Sequence, residues 1–237
     1  MLNAGCRLPI EDVDTPVWEP ETNYEPTAAD GARDAMIVRV AEEFGPVDPL
    51  AMQEIMPVHD EVHVAINVIR PNKRNPFMTL FTTGMSSLPM RVPAGQEEYR
   101  FAELLMHLPA TWPHPRGDSI DETSWPMKWL RQLAYFPHLH ETSIGAPLTI
   151  ISSAEPPEPL GPNTKQSCLL LIADFADWSP VVLGDGKRIH FFTVFPIYTE
   201  ERDFEREHGS VPLMERLFER GHTAVVTVNR SNVALEP

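Results

Sequence analysis

A chain of 237 residues is long enough to bury most of its apolar surface, and its length suits one elaborated domain or two. With 34 acidic residues against 19 basic ones its formal charge is −15, which disfavours nucleic acid as a direct ligand and makes a basic protein the matching partner. Two cysteines, Cys6 and Cys168, a start without a secretory pattern and no apolar run near the roughly 18 residues of a membrane span point to a soluble cytoplasmic protein with no membrane partner.

Residues 1–28 ("EDVDTPVWEPETNYEPTAAD" within them) are rich in proline and acid and read as an extended arm, which leaves 29–237 as one folded domain. From Ala28 to Phe44 the residues Ala32, Met36, Val40 and Phe44 recur at helical spacing, with Ile37 beside them and Gly45-Pro46 as a stop. "VHVAINVIR" (Val62 to Arg70) and "PFMTLFTTG" then read as neighbouring strands on either side of a "PNKRNP" loop. A third strand, Glu98 to Leu108, is apolar on both phases near its end, as a strand covered on both faces should be.

Ser124 suits a helix N-cap and Pro126 a first turn, so a helix is expected from about Pro126 to Phe136, with Trp125, Trp129, Leu133 and Phe136 on one face. "PLTIIS", "SCLLLIA" and "RIHFFTVFPIY" read as strands, and "LGDGKR" as a hairpin turn before the last of them. "SAEPPEPLGPNTKQ" is a proline-rich surface loop. Two short helices follow, Thr199 to His208 and Val211 to Arg220, and then a terminal strand, "HTAVVTVNR". Several strands succeed one another without an intervening helix. The expected class is therefore α/β in the α+β sense, a mixed, mainly antiparallel sheet flanked by helices.

Two stretches invite a chemical reading. "FTTGMSSLPM" places Ser86 where a nucleophile elbow would hold its serine, but Leu88 replaces the second glycine of Gly-x-Ser-x-Gly, and Pro89 and Pro93 oppose the helix that an elbow needs. Gly84 and Ser86 are better read as shaping a turn, with Gly84 the residue least replaceable by alanine. In "HDEVH", a strand would carry His59, Glu61 and His63 onto one face, a plausible set of zinc ligands without a fourth partner. A metal-dependent enzyme centred there is the alternative to a binding protein, and a structural subunit of a larger assembly is a third reading. No phosphate loop, dinucleotide fingerprint or Cys-x-x-Cys pair is present, so no cofactor is expected.

Taken in order, "FTTGMSSLPM", "YRFAELLMHLPATW", "WPMKWLRQLAYF" and "LLLIADFADWSPVVLGDGKRIHFFTVFPIYTEERDFE" resemble the suppressor-of-fused (SUFU) domain family. The resemblance runs from about Val58 to Leu217. It departs at Ser87, where many relatives carry an acid, and in length, since the animal proteins add a second lobe. It implies an α/β domain that binds protein. Animal relatives sequester a zinc-finger transcription factor, and compact bacterial relatives are regarded as immunity proteins that neutralise toxins. On that reading the chain has no catalytic residues, its partner is a protein such as a basic toxin domain, and the exposed acidic and aromatic positions Glu97, Glu98, Tyr99, Asp177 and Trp178 are expected to meet it.

Overall fold

The computed structural model describes residues 28–48, 58–113 and 122–236. The proline-rich arm and Cys6 lie outside the described residues. Helix α1 (Ala28–Phe44) ends where the sequence stops it, with Gly45 N–H donating to Ala41 O. Its last carbonyls have partners from another loop: Asn72 Nδ2 donates to Phe44 O at 2.7 Å, and Asn75 Nδ2 to Glu43 O at 3.0 Å. The "PNKRNP" loop is thus both a strand connection and a helix cap.

Strands β1 (Ala65–Ile69), β2 (Phe77–Thr83) and β3 (Ala102–Pro109) form an antiparallel meander. After helix α2 (Trp125–Leu139) come β4 (Leu148–Ser152), β5 (Cys168–Ala173), the two-residue β6 (Val181–Val182) and β7 (Arg188–Ile197). The main path of the sheet is β1-β2-β3-β7-β5-β4, with β6 paired to β7. The β3–β7 pair at its centre is parallel, while the other strand pairs are antiparallel. Helices α3 (Thr199–His208) and α4 (Ser210–Glu219) close the order. This is the mixed, mainly antiparallel sheet flanked by helices that the sequence implies.

The period-2 alternation of the strands divides the apolar residues between the two sides of the sheet. One side carries Ile66, Leu80, Leu104, Leu171, Phe192 and Val194 beneath Trp125, Leu130 and Leu133 of α2. The other side is shared. Phe81, Leu105, Ile189 and Phe191 pack under Met36 and Val40 of α1, whereas Leu170, Phe195 and Ile197 pack under Leu213 and Leu217 of α4. Cys168 is a buried free thiol in this last cluster.

The structure departs from the sequence reading in several places. Residues 97–100 make a 3-10 turn, closed by Tyr99 N–H to Gln96 O, so β3 starts at Ala102 rather than Glu98. Helix α2 runs through Pro137 to Leu139, and Phe136 turns outward at 36% exposure instead of joining the buried face. "HTAVVTVNR" forms a single bridge, Val225 to His107, and then turns. The register explains this: β7 pairs with β3 only as far as Leu105↔Thr193, and Val225 fills the position beyond that point. In its place, the segment is held by an ion pair. The fully buried Glu201 accepts from both Nη atoms of Arg230 and from the N–H groups of Tyr198 and Val233.

Candidate functional site

Polar side chains from β3, α2 and the loop before β7 converge on the turn that follows β2. Gly84 has φ 106, a conformation L-residues rarely adopt, and a Cβ there would stand 2.0 Å from His63 O. The next residues, Met85–Ser87, form a short 3-10 turn. Glu103, buried completely in β3, reaches across to it. Its Oε1 accepts from Gly84 N (2.9 Å), Ser86 N (3.0 Å) and Ser86 Oγ (2.7 Å), and its Oε2 accepts from Thr82 Oγ1 (2.7 Å). Burial pushes the Glu103 carboxyl up, and these hydrogen bonds oppose the shift without cancelling it. Lys187 Nζ donates to Ser86 O at 2.6 Å while lying 4.2 Å from the Phe101 ring centroid; burial draws its pKa down. His138 Nε2, from α2, sits 2.9 Å from Met85 O.

The amide that an elbow would direct at an oxyanion, that of Ser87, instead donates to Gly84 O at 3.1 Å, and the Ser86 hydroxyl is committed to the chain's own carboxylate. A cleft of about 550 Å³ opens beside the turn, and Arg33 and Met36 of α1, Glu61, His63, Ser87 and Lys187 are among the residues that line it.

His59, Glu61 and His63 do not alternate along a strand. Residues 58–61 are a bend, His59 Nδ1 accepts from Glu61 N at 3.1 Å, and the His59 ring lies 6.2 Å from that of His138, while Glu61 and His63 line the cleft. Among the described residues no group of three or more His, Cys, Asp or Glu is arranged to hold a metal ion.

The expected contact residues fall in two places. Glu97, Glu98 and Tyr99 share the 3-10 turn before β3. Both Glu97 carboxylate oxygens accept from Gly95 N at 3.0 Å, which holds that group below the usual carboxylate range. Tyr99 is half-buried, its ring 4.7 Å from that of His190 on the α2 side of the sheet. His190 in turn has Nδ1 2.6 Å from Asp174 Oδ2. Trp178 is half-buried on the opposite side, packed on Phe44 and Phe191 with the Arg39 guanidinium 5.1 Å from its ring centroid. Asp177 ends the 3-10 turn Phe175–Asp177 just before it. Trp178 thus supports the core under α1 and does not share a surface with Tyr99.

These elements coincide with a known domain: a family model described as Suppressor of fused protein (SUFU) matches residues 60–231. The chain belongs to the suppressor of fused family. Among solved structures, a suppressor of fused homolog from Neisseria gonorrhoeae is similar over 86% of this chain and 97% of its own, at 14% identity and a TM-score of 0.55. The Sufu–Fu complex is similar over 84% of this chain and 91% of that one (13%, 0.59). Drosophila Suppressor of Fused matches over 85% of this chain (12%, 0.60), which spans about half (51%) of the Drosophila protein. At these identities the likeness is one of fold. A search of curated proteins finds no match. Among the described residues of this suppressor of fused domain, no helix is long and apolar enough to cross a membrane.

Sequence reasoning passed over Glu103, Lys187, Asp174 and His190. Glu103 had a signal, a single acid inside the apolar run "FAELLMHL", where a charge has to find partners or stay protonated. His190, flanked by Ile189 and Phe191 in β7, carried the same one.

Proposed function

We propose that this suppressor of fused domain is a non-catalytic binding protein of the cytoplasm that sequesters or neutralises a protein partner, in the manner of an immunity protein against a toxin. Residues 29–237 act as one binding unit in this reading. The observation that carries it is family membership, joined to a fold shared with the Sufu–Fu complex, in which a relative holds a protein. The net charge of −15 supports a basic partner, because long-range attraction between opposite surfaces raises association rates. The committed hydrogen bonds of the Gly84–Ser87 turn support a structural role for its serines. Glu97, Glu98 and Tyr99 are the contact positions this reading favours, ahead of Asp177 and Trp178.

The test is affinity capture from native cells, followed by measurement of the purified pair at about 50 and 300 mM salt. A specific protein should be retained, its Kd should rise about tenfold or more across that range, and co-expression should relieve whatever toxicity the partner shows. A salt-independent complex would remove the electrostatic part of the proposal. Turnover of a small substrate by pure protein, abolished by Ser86→Ala or His63→Ala, would overturn it.

A further inference from the structure

The connection from β4 to β5, residues 153–167, is a long one for a compact domain, in which loops beyond about 12–15 residues without secondary structure are uncommon and mostly functional. It is also held more firmly than a spacer needs. Ser153 N–H donates to Ser167 O at 3.0 Å and Leu160 N–H to Gln166 O at 2.9 Å. Two indoles of α2 are committed to it: Trp129 Nε1 donates to Leu160 O and Trp125 Nε1 to Asn163 Oδ1, each at 2.9 Å. Gly161 lies so close to Trp125 that a Cβ would stand 2.2 Å from its ring. Leu160 is 5% exposed and belongs to the core on the α2 side of the sheet.

What this frame holds out is proline. Pro156, Pro157 and Pro159 each fix φ at about −65°, and Pro156 and Glu158, each followed by proline, are kept out of the helical region, which directs residues 156–159 into the extended polyproline form. Burial along them follows the three-residue period of that form: Pro157 is half-buried and Leu160 buried, while Pro156 and Pro159 are exposed, as are Glu155 and Glu158. Ser153 Oγ donates to Glu158 O and accepts from Glu158 N–H, which braces the middle of the run. Among the described residues the carbonyls of Pro156, Pro157 and Pro159 accept no hydrogen bond. A strip of exposed proline rings and open carbonyls whose shape is set in advance loses little entropy on binding. It suits a groove lined by aromatic rings, whose faces take the prolines and whose N–H or O–H donors take the carbonyls. Glu155 and Glu158 add a preference for cations at the rim of that groove.

We infer that the loop between β4 and β5 is a presented ligand, whose Pro156 and Pro159 enter an aromatic-lined groove on a protein partner that sets cations beside Glu155 and Glu158. This rests on the protein-binding reading above and adds to it a further contact and its chemistry.

The test uses the full chain with ¹³C-labelled proline, titrated at 150 mM salt with a WW domain that carries an arginine beside its tyrosine and tryptophan groove, and with the same domain after its groove tryptophan is replaced by alanine. Stacking on the aromatic rings should move the Pro156 and Pro159 ring signals upfield, saturably, and leave in place those of Pro89 and Pro93, which are exposed but lie outside the loop. The altered domain should bind at least fivefold more weakly. Pro159→Ala touches none of the anchoring side chains and should weaken binding about fivefold or more with at most a small fall in urea midpoint, whereas Pro93→Ala should leave binding unchanged. No saturable shift at Pro156 and Pro159 up to about 2 mM domain, equal binding of the two domains, or a Pro159→Ala chain that binds as well as the parent would each overturn the inference. A captured protein partner that binds the parent and the Pro156→Ala/Pro159→Ala chain alike would also overturn it while leaving the protein-binding reading intact. Failure to capture any partner would strike that reading alone, since the WW titration probes the loop without it.

Discussion

Gly84 and Gly95 both have positive φ, but only one of them is crowded. A Cβ at Gly84 would meet the His63 carbonyl oxygen, a backbone atom with no easy way to move, whereas a Cβ at Gly95 would enter open space. Gly84→Ala should therefore cost roughly 3 kcal/mol or more and Gly95→Ala about 1 kcal/mol, a difference that urea unfolding of the two variants will show. The titratable residues inside the sheet act in opposite senses. His107 packs between Phe44 and Phe77, its Nδ1 3.0 Å from Thr79 Oγ1, and burial lowers its pKa from 6.5 to about 4. The unfolded chain takes up that proton first, so the stability tied to neutral His107 is present above pH 6.5 and is lost as pH falls toward 4. The loss reaches roughly 3 kcal/mol. For Glu103 the folded pKa is raised, so its contribution is present in acid and is lost as pH rises through that value. Unfolding curves at pH 7, 5 and 4 should show an acid loss in the parent that is reduced in His107→Gln.

Among the elements, the clearest lesson comes from the segment after α4, where a strand was expected and an ion pair does the holding. Glu201 is fully buried and the Arg230 side chain is 5% exposed, and between them they tie residues 230–233 to the start of α3. Removing Arg230 alone strands a buried carboxylate. Arg230→Met should thus cost on the order of 3–5 kcal/mol, and the double variant Glu201→Gln/Arg230→Met less, as a comparison of urea midpoints will reveal. Strong local patterns made the rest of the elements legible. Helix α1 has the limits that its apolar spacing and Gly45-Pro46 imply, and β1, β2, β4, β5 and β7 follow their apolar and β-branched runs. What escaped depends on contacts made far away in the chain. "HTAVVTVNR" has strand composition but only a short open stretch of β3 to pair with. Trp178 has the look of a surface aromatic in "ADWSP", yet Phe44 and Phe191 meet it from other elements. The Gly84 turn was readable because a glycine announces its own backbone, whereas nothing local says that Glu103, Lys187 and His138 converge on it from three separate elements.

At the scale of the whole molecule, helices cover both sides of the sheet, and the surface charge acts on a partner from a distance. The salt dependence expected of a complex belongs to the summed field of the −15 surface and should survive the loss of any one carboxylate.

The parallel seam between β3 and β7 carries a further consequence. Its two strands lie on either side of α2, β4 and β5 in the chain, so neither the first half of the sequence nor the second holds a finished sheet. Each half presents a raw flank that only the other can complete. A nascent chain leaving the ribosome has therefore to shelter Leu104 and Leu105 until the segment from Arg188 to Ile197 arrives, which makes that interval the period when the protein is most exposed to aggregation.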